Sequence, residues 1–200
     1  RDLHEYAKSP ENFAPEVRTA IAATPTAFAR LSQQMTWGKV EFISDRPGKN
    51  ANQVHLGGGG QTTAGLARLV QGARQSVTIQ SPYLVLSDEA IALFRQIIAR
   101  GIKVRINTNS LASTDNLPAF SGYRNQRDRL LKMGLQIYEY KPDPDVQRKL
   151  MQRTVAATRK APVFALHAKT LVIDSKTVYI GTFNLDPRSE NLNTEVGAII

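Results

Sequence analysis

Two apolar runs separated by a very short connection constrain the fold of this 200-residue chain more than any other feature. The first, Val163 to Ile173, is mostly apolar at both sets of alternating positions, which predicts a strand buried on both sides. The second, Thr177 to Gly181, follows after only Ser175 and Lys176. Such a short connection predicts a tight antiparallel hairpin.

The first of these strands carries two polar residues, His167 and Lys169, within its apolar run. Residues two apart on a strand leave the same face, so the imidazole and the ammonium lie side by side. An unpaired buried charge costs roughly several kcal/mol, so the two groups need a shared polar partner. A phosphate group meets that need.

Polar residues after the hairpin can complete a site around this pair. Thr182 and Asn184 offer a hydroxyl and an amide for hydrogen bonds to phosphate oxygens or to an imidazole. A third strand, predicted from Thr194 to Ile200, brings Glu195. A carboxylate next to a histidine fixes the tautomer of the ring and stabilises its charged form, so Glu195 is a candidate partner for His167.

The spacing of these residues resembles the signature of the phospholipase D superfamily, His-x-Lys-x-x-x-x-Asp followed by Gly-Ser/Thr-x-Asn and a later acidic residue. Thr182 stands where that family more often has serine, and it keeps the hydroxyl. Residues 185–195 look most like bacterial cardiolipin synthases of the C type. The positions that match the signature are His167, Lys169, Asp174, Gly181, Thr182, Asn184 and Glu195.

The resemblance implies an α/β fold, a phospholipase D-like mixed sheet flanked by helices, with one hairpin that carries the motif. It also implies phosphatidyl transfer between phospholipids through a phosphohistidine, without metal or other cofactor. Lys169 and Asn184 would hold the non-bridging phosphate oxygens. Asp174 belongs to the catalytic motif, but it lies on the opposite strand face and would brace the hairpin. The sequence does not decide whether His167 attacks phosphorus; similarity to two-motif phospholipases favours an acid and base role.

The family's mechanism uses two such histidines and two such lysines, and this sequence supplies one of each. Either a longer parent supplies the other motif upstream of Arg1, or two copies pair as a homodimer across a twofold axis. The missing initiator Met and the strand-like end favour the first alternative. On this interpretation residues 1–38 are a helical linker from a missing N-terminal half. Residues 39–200 are then a catalytic half-domain truncated at its C-terminus.

Upstream of the motif, strand-like and helix-like stretches alternate, which predicts an α/β fold with parallel crossovers. Short helices are expected within residues 1–36, one opened by Pro15 and one by Pro25 with Thr24 as its cap. The glycine run 57–60 lacks the lysine of a nucleotide-binding loop and predicts a flexible connection. Other expected elements are strands at 39–43, 77–80, 102–108 and 135–140, and helices at 64–75 (capped by Thr62 or Thr63), at 88–100 (capped by Asp88) and at 123–133.

Loops that leave the carboxyl ends of parallel strands lie at the edge where open α/β sheets bind ligands. Tyr83 follows one predicted strand, and Asp115 and Asn116 follow the next. These residues are candidates for substrate binding, although polar loop residues cap helices just as often. Thr182 and Arg188 are assigned to substrate binding with them.

The balance of 26 Lys and Arg against 17 Asp and Glu gives a net charge of +9, which favours nucleic acid or an anionic membrane surface as partner. The basic stretch 141–161 is expected to be either a flap over the substrate or a solvated loop. The leading hypothesis is the C-terminal half of a bacterial cardiolipin synthase, peripheral at the cytoplasmic membrane. Its partners would be phosphatidylglycerol and, as a second lipid, phosphatidylethanolamine.

Two alternatives remain open. One is a phosphodiesterase or nuclease of the same superfamily that acts as a homodimer. The other is a basic binding module that has lost its activity. No apolar run reaches the 18 residues that predict a transmembrane helix.

Overall fold

The computed structural model describes residues 3–9, 14–49, 59–142, 145 and 164–200. They belong to two compact units, Arg1–Gly38 with Pro142–Phe164, and Lys39–Lys141 with Ala165–Ile200. The predictions for the basic stretch 141–161 and for Gly57 and Gly58 fall mostly outside the described residues.

The first unit contains two described helices, α1 (Leu3–Lys8) and α2 (Pro15–Gln33). Pro15 opens α2 as predicted, because a missing N–H is tolerated in the first turn. The prediction of a second helix that starts at Pro25 is wrong, since α2 continues through this residue. Thr24, expected as a cap, donates its hydroxyl to the carbonyl four residues earlier at 2.9 Å. The alanine-rich flanks have enough helix propensity to offset the backbone hydrogen bond lost at the proline.

The second unit combines strands and helices of ordinary length. Its strands are β1 (Glu41–Ser44), β2 (Ser76–Gln80), β3 (Lys103–Asn109), β4 (Gln136–Tyr140), β5 (Thr170–Ile173), β6 (Thr177–Gly181) and β7 (Val196–Ile199). Its helices are α3 (Gln61–Gln71), α4 (Asp88–Ala99), α5 (Leu117–Lys132) and α6 (Pro187–Asn191).

All seven strands form one mixed sheet in the order β1-β7-β6-β5-β2-β3-β4. The neighbours β2, β3 and β4 are parallel, and every other neighbouring pair is antiparallel. Helix α4 connects β2 to β3, and α5 connects β3 to β4. The predicted α/β class, with a mixed sheet flanked by helices, is therefore confirmed.

The helix starts differ from the predicted ones because several polar residues compete for each cap. Ser87, not Asp88, caps α4 and accepts from the N–H of Ala90. Helix α5 begins earlier than predicted, at Leu117, behind the cap Asn116. Both observed caps are among the residue types that helix N-termini prefer.

Helix α3 also starts earlier than predicted, and its cap is not local. Gly60 occupies the cap position, and neither Thr62 nor Thr63 caps the helix through its side chain. The carboxylate of Asp45 accepts from the N–H of Thr62 at 2.8 Å. A residue 17 positions away thus satisfies one of the free donors at this helix end.

The predicted hairpin is present, with β5 and β6 antiparallel. The N–H of Lys176 donates to the carbonyl of Ile173 at 3.0 Å. Between them, Asp174 and Ser175 have φ angles of 53° and 55°, the left-handed values of a type I′ turn. The first strand is shorter than predicted, because residues 164–169 lie outside β5.

The core lies on one side of the sheet. In β5, Leu171 and Ile173 are buried, whereas Thr170 and Val172 are only half-buried. The prediction that this strand is buried on both sides is therefore wrong for the described structure. Other residues of the same core are Val77, Ile79, Ile91, Phe94, Ile97, Val104, Ile106, Tyr123, Leu130 and Tyr179.

A buried ion pair joins β1 to the segment before β7. Asp45 directly follows β1, and its fully buried carboxylate lies 2.7 Å from Nζ of Lys49. It also accepts from the N–H groups of Thr62 and Glu195, at 2.8 and 3.0 Å. Burial raises the pKa of Asp45, but the bonds from Lys49 and from the two N–H groups outweigh burial, so the pKa lies below its ordinary 3.8. The sequence predicted only a turn here.

We expect Asp45→Ala to lower the free energy of unfolding by about 3–5 kcal/mol, because it leaves the Lys49 ammonium buried without its partner. Urea unfolding of the complete gene product, followed by circular dichroism, measures this loss. Asp88→Ala is the matched control, since Asp88 pairs with Arg129 at the surface, where an ion pair contributes little. Equal losses in both variants would contradict the assignment.

The same carboxylate predicts an acid dependence. Because its pKa is lowered in the folded protein, Asp45 contributes stability that is present above its unfolded pKa and is lost as pH falls through the folded value. Below about pH 3.8, wild-type stability should therefore fall more steeply than that of Asp45→Ala.

A third prediction concerns the close approach of β6 and β7. A Cβ on Gly181 would clash with the Tyr179 hydroxyl and with the backbone carbonyl of Val196. Gly181→Ala should therefore cost about 1–3 kcal/mol of stability, since the backbone has to move. Gly38→Ala is the control, because no atom lies within 4 Å of its added Cβ. Equal melting temperatures of the two variants would contradict the prediction.

Candidate active site

The end of the sheet where β2 finishes is also where β5 begins, because these strands are antiparallel and Gln80 pairs with Thr170. His167 and Lys169 lie in the segment just before β5, outside any strand. His167 is exposed and Lys169 is half-buried. The Lys169 ammonium donates to the backbone carbonyl of His167 at 3.0 Å, so the two residues are neighbours at this edge.

The side chain of Asn109 holds the segment that carries His167. It lies at the end of β3, is buried, and binds the backbone of Leu166 twice. Its Oδ1 accepts from the Leu166 N–H at 2.8 Å, and its Nδ2 donates to the Leu166 carbonyl at 3.0 Å. Nδ2 also donates to the carbonyl of Pro82 at 3.2 Å. Asn109 therefore substitutes for a strand neighbour directly before His167.

Asn109 was not among the functional residues predicted from the sequence. The available signal was its position at the carboxyl end of a parallel strand, where sheets of this class place their ligands. Its bonding partner, 57 residues away, could not be identified from spacing.

Lys169 is a cation without an ion-pair partner among the described carboxylates. Burial lowers the pKa of its ammonium below the ordinary 10.5, and the charges of Asp115, Glu195 and Asp186 offset only part of this effect. A half-buried ammonium near several carboxylates, but bonded to none of them in the described structure, is open to an incoming anion.

Glu195 and Thr182 form a fixed pair close to Lys169. Glu195 is 3% exposed, and its Oε2 accepts a short hydrogen bond from the Thr182 hydroxyl. The same hydroxyl oxygen accepts from the N–H of Val196 at 3.0 Å. No hydrogen bond joins Glu195 to the His167 imidazole within the described ranges. In the described structure the Glu195 carboxylate is instead bound to the Thr182 hydroxyl, and its expected partnership with His167 stays a prediction.

Asn184 follows Thr182 and has one unsatisfied atom. Its backbone N–H and its Nδ2 both donate to the Ser189 hydroxyl, at 3.1 and 3.3 Å. Its Oδ1 is buried and has no hydrogen-bond partner among the described atoms. A buried amide oxygen left unpaired costs about 1–3 kcal/mol, and such groups are often found where a ligand completes the site.

The structure brings three of the predicted substrate residues to the same edge. The Tyr83 hydroxyl donates to Oδ1 of Asp115 at 3.2 Å. Burial, and then the charge of Asp115, raise the pKa of Tyr83. Asn116 lies next to them but caps α5 by accepting from the N–H of Ala119, which is the alternative role that the sequence left open. Arg188, on α6, is exposed.

Asp174 lies at the other end of β5 from Lys169. Its carboxylate accepts from the N–H groups of Arg74, Gln75 and Ser76, at 2.9, 2.7 and 2.8 Å. These bonds, the one from Ser76 first, hold the pKa of Asp174 below its ordinary value. The contacts support the bracing role expected for this motif residue, since they tie the hairpin turn to the segment that enters β2.

The described residues contain neither a membrane-spanning helix nor a metal-binding cluster. No helix in the described part of the chain has the length and apolar character needed to cross a membrane. Among the same residues, no group of three or more His, Asp or Glu side chains is arranged to hold a metal ion.

Comparison with known proteins identifies the family. Residues 66–200 match the family model described as "Cardiolipin synthase, PLD-like domain". Cardiolipin synthase C of Escherichia coli strain K12 is 35% identical over 166 residues, which are 83% of this chain and 34% of that protein. The chain thus spans about a third of the length of the curated relatives it matches.

Two solved structures share the fold at low sequence identity. NucT from Helicobacter pylori has a TM-score of 0.55 at 19% identity, covering 80% of this chain and 84% of that one. Nuc from Salmonella typhimurium, a phospholipase D family member, has a TM-score of 0.53 at 15% identity, covering 81% and 82%. The spacing of the histidine motif, the mixed sheet and the family match agree: the chain belongs to the phospholipase D superfamily, in the family of cardiolipin synthase PLD-like domains.

Proposed function

We propose that this chain is one catalytic half of a cardiolipin synthase that transfers a phosphatidyl group between phospholipids. The observation that carries the proposal is Lys169, a half-buried ammonium without an ion-pair partner in the described structure, next to exposed His167. Its relative cardiolipin synthase C, 35% identical, supports the choice of a lipid substrate. Residues 1–38 would be a helical linker, and residues 39–200 the catalytic half-domain.

The proposed reaction has two displacements at phosphorus. In the first, a histidine nitrogen attacks phosphatidylglycerol, an N–P bond forms, and the bond to the head-group glycerol oxygen breaks as that oxygen takes a proton from a second histidine. In the second, a hydroxyl of another phosphatidylglycerol attacks phosphorus and gives its proton to the second histidine. The N–P bond breaks, and the products are cardiolipin and glycerol.

The residues of the candidate active site have distinct roles in this scheme. Lys169 stabilises the charge that builds up on the non-bridging oxygens. Thr182 is held by Glu195 and presents a fixed polar group to the same centre. Asn184 contributes its Nδ2, which donates one hydrogen to Ser189 and has a second hydrogen for a phosphate oxygen, because an amide oxygen only accepts. We assign the proton-transfer role to His167, so the attacking histidine of the scheme is the one that the motif in this chain does not supply.

The nucleophilic histidine has to come from elsewhere. Either another part of the complete gene product supplies it, or a second copy of the chain does, as a homodimer. The first source is supported by the chain's share of 34% of cardiolipin synthase C. Under either arrangement the net charge of +9 favours peripheral binding to an anionic bacterial membrane that contains phosphatidylglycerol. Phosphatidylethanolamine is the second lipid to be tested as a reactant.

We expect the complete gene product to form cardiolipin from phosphatidylglycerol, with or without phosphatidylethanolamine, as measured by mass spectrometry. His167→Ala should abolish product formation, and Lys169→Met should lower kcat by about 10²–10³, the loss expected for one charge-stabilising group. Lys176→Met is the control, because Lys176 is exposed in the hairpin turn at the other end of β5.

Near-wild-type turnover in His167→Ala would refute the assignment. If lipid product is absent but single-stranded DNA or RNA is cleaved in a His167-dependent way, the chain is instead a nuclease of the same superfamily. The basic net charge accommodates that result.

Asn109→Ala should lower kcat for phosphatidyl transfer by about 10² with little change in KM, because the segment before His167 loses both bonds to Leu166 and the imidazole shifts. Asn125→Ala, an exposed substitution on α5, is the control. Steady-state kinetics together with a thermal melt distinguish the positioning role from general loss of stability. A proportional loss of folded protein without a change in kcat would contradict it.

A further inference from the structure

An apolar cavity of about 270 Å³ lies beside the candidate active site. It is bounded by helices α3 and α4, by strands β2, β5 and β6, and by the segment after β6. Its lining is mainly aliphatic and aromatic, and includes Leu66, Val70, Ile79, Leu93, Phe94 and Phe183. The cavity is partly open to solvent, so a ligand can enter it, and clefts lined mainly by apolar side chains are the usual binding places for small apolar groups.

Lys169 lines the same cavity, which connects the apolar space to the cation of the active site. Other charged groups are also present: Asp186, Glu89 and Glu190 contribute to the lining. The Glu190 carboxylate accepts from the Ser87 hydroxyl at 3.1 Å, so it already has a hydrogen-bond donor. Within the described lining, Lys169 is therefore the group with which an anion would pair.

We infer that this cavity holds one acyl chain of the phospholipid whose phosphate is bound by Lys169. The inference rests on the proposed function and names the part of the substrate that the site recognises besides phosphate. A phospholipid joins an anionic phosphate to a long apolar chain within one molecule. Lys169, which has no ion-pair partner among the described residues, lies at the apolar cavity. A polynucleotide has no apolar chain of this kind, so it would leave the cavity empty.

Ala67, a small residue on α3, allows the cavity to be filled by a single substitution. It contributes to the lining, so a larger side chain at this position fills empty space. Ala64, on the same helix, is exposed and lies outside the lining. Ala67→Phe and Ala64→Phe therefore add the same volume to α3, but only the first adds it to the cavity.

The experiment measures kcat/KM of the complete gene product for dioleoyl and dihexanoyl phosphatidylglycerol, both presented in detergent micelles. We expect Ala67→Phe to lower the ratio of the long-chain to the short-chain value by about tenfold, since a filled pocket rejects extra methylenes. Ala64→Phe should leave that ratio at its wild-type value. Thermal melts show whether each variant is folded, and Ala90→Phe, which fills the same cavity from α4, replaces Ala67→Phe if the latter does not fold.

The outcomes separate this inference from the proposed function. If the wild type forms cardiolipin but the chain-length ratio is the same in all variants, the cavity does not bind the acyl chain and the proposed function stands. If the wild type forms no cardiolipin from either lipid, the proposed function and this inference both fail. A lower ratio of long-chain to short-chain kcat/KM in the cavity-filling variants alone supports both the proposed function and this inference.

Discussion

The structure of the second unit depends on one buried carboxylate. Asp45 is desolvated, so it is stable only because Lys49 and two backbone N–H groups surround it. These partners belong to different parts of the chain: the turn after β1, the first turn of α3, and the residue before β7. The ion pair thus sets where α3 begins and fixes the backbone of Glu195. Lys49 extends the same network to α6 through the Ser189 carbonyl at 2.8 Å.

The mixed topology of the sheet explains how residues far apart in sequence reach one edge. Strands β2 and β3 are parallel and end there, and β5, antiparallel to β2, begins there. Strand β6 then ends at this edge, and β7 begins at it. The residues that lie at or next to these three strand ends and two strand starts are Tyr83, Asn109, Lys169, Thr182 and Glu195. An all-parallel sheet would have brought only strand ends, and no strand starts, to this edge.

The sequence predicted the features that depend on local periodicity and on fixed spacing. The hairpin follows from two apolar runs with a very short connection, and the parallel crossovers from the alternation of strand-like and helix-like stretches. The family follows from the offsets between His167, Lys169 and Asn184. Features that depend on distant partners were missed. The neighbours of Pro25 in sequence predict a helix start, because they do not show that the helix continues through it. The neighbours of Asp45 predict a turn, because its partners Thr62 and Glu195 are distant in sequence. Asn109 was missed for the same reason, since its bonds to Leu166 exist only after β3 and β5 have assembled.

The hydrogen bond between the Glu195 N–H and the Asp45 carboxylate joins residues 150 positions apart. Closing so long a loop is slow, because the chain loses conformational entropy before it gains the contacts that stabilise the closed loop. We therefore expect Glu195 to take its place late in folding, after the hairpin around His167 has formed from neighbouring residues. During synthesis, a ribosome-bound chain would already contain His167 and Lys169 but would still lack the acidic residue of the site. The phosphate-binding residues of this half-site would therefore come together only after Glu195 had emerged.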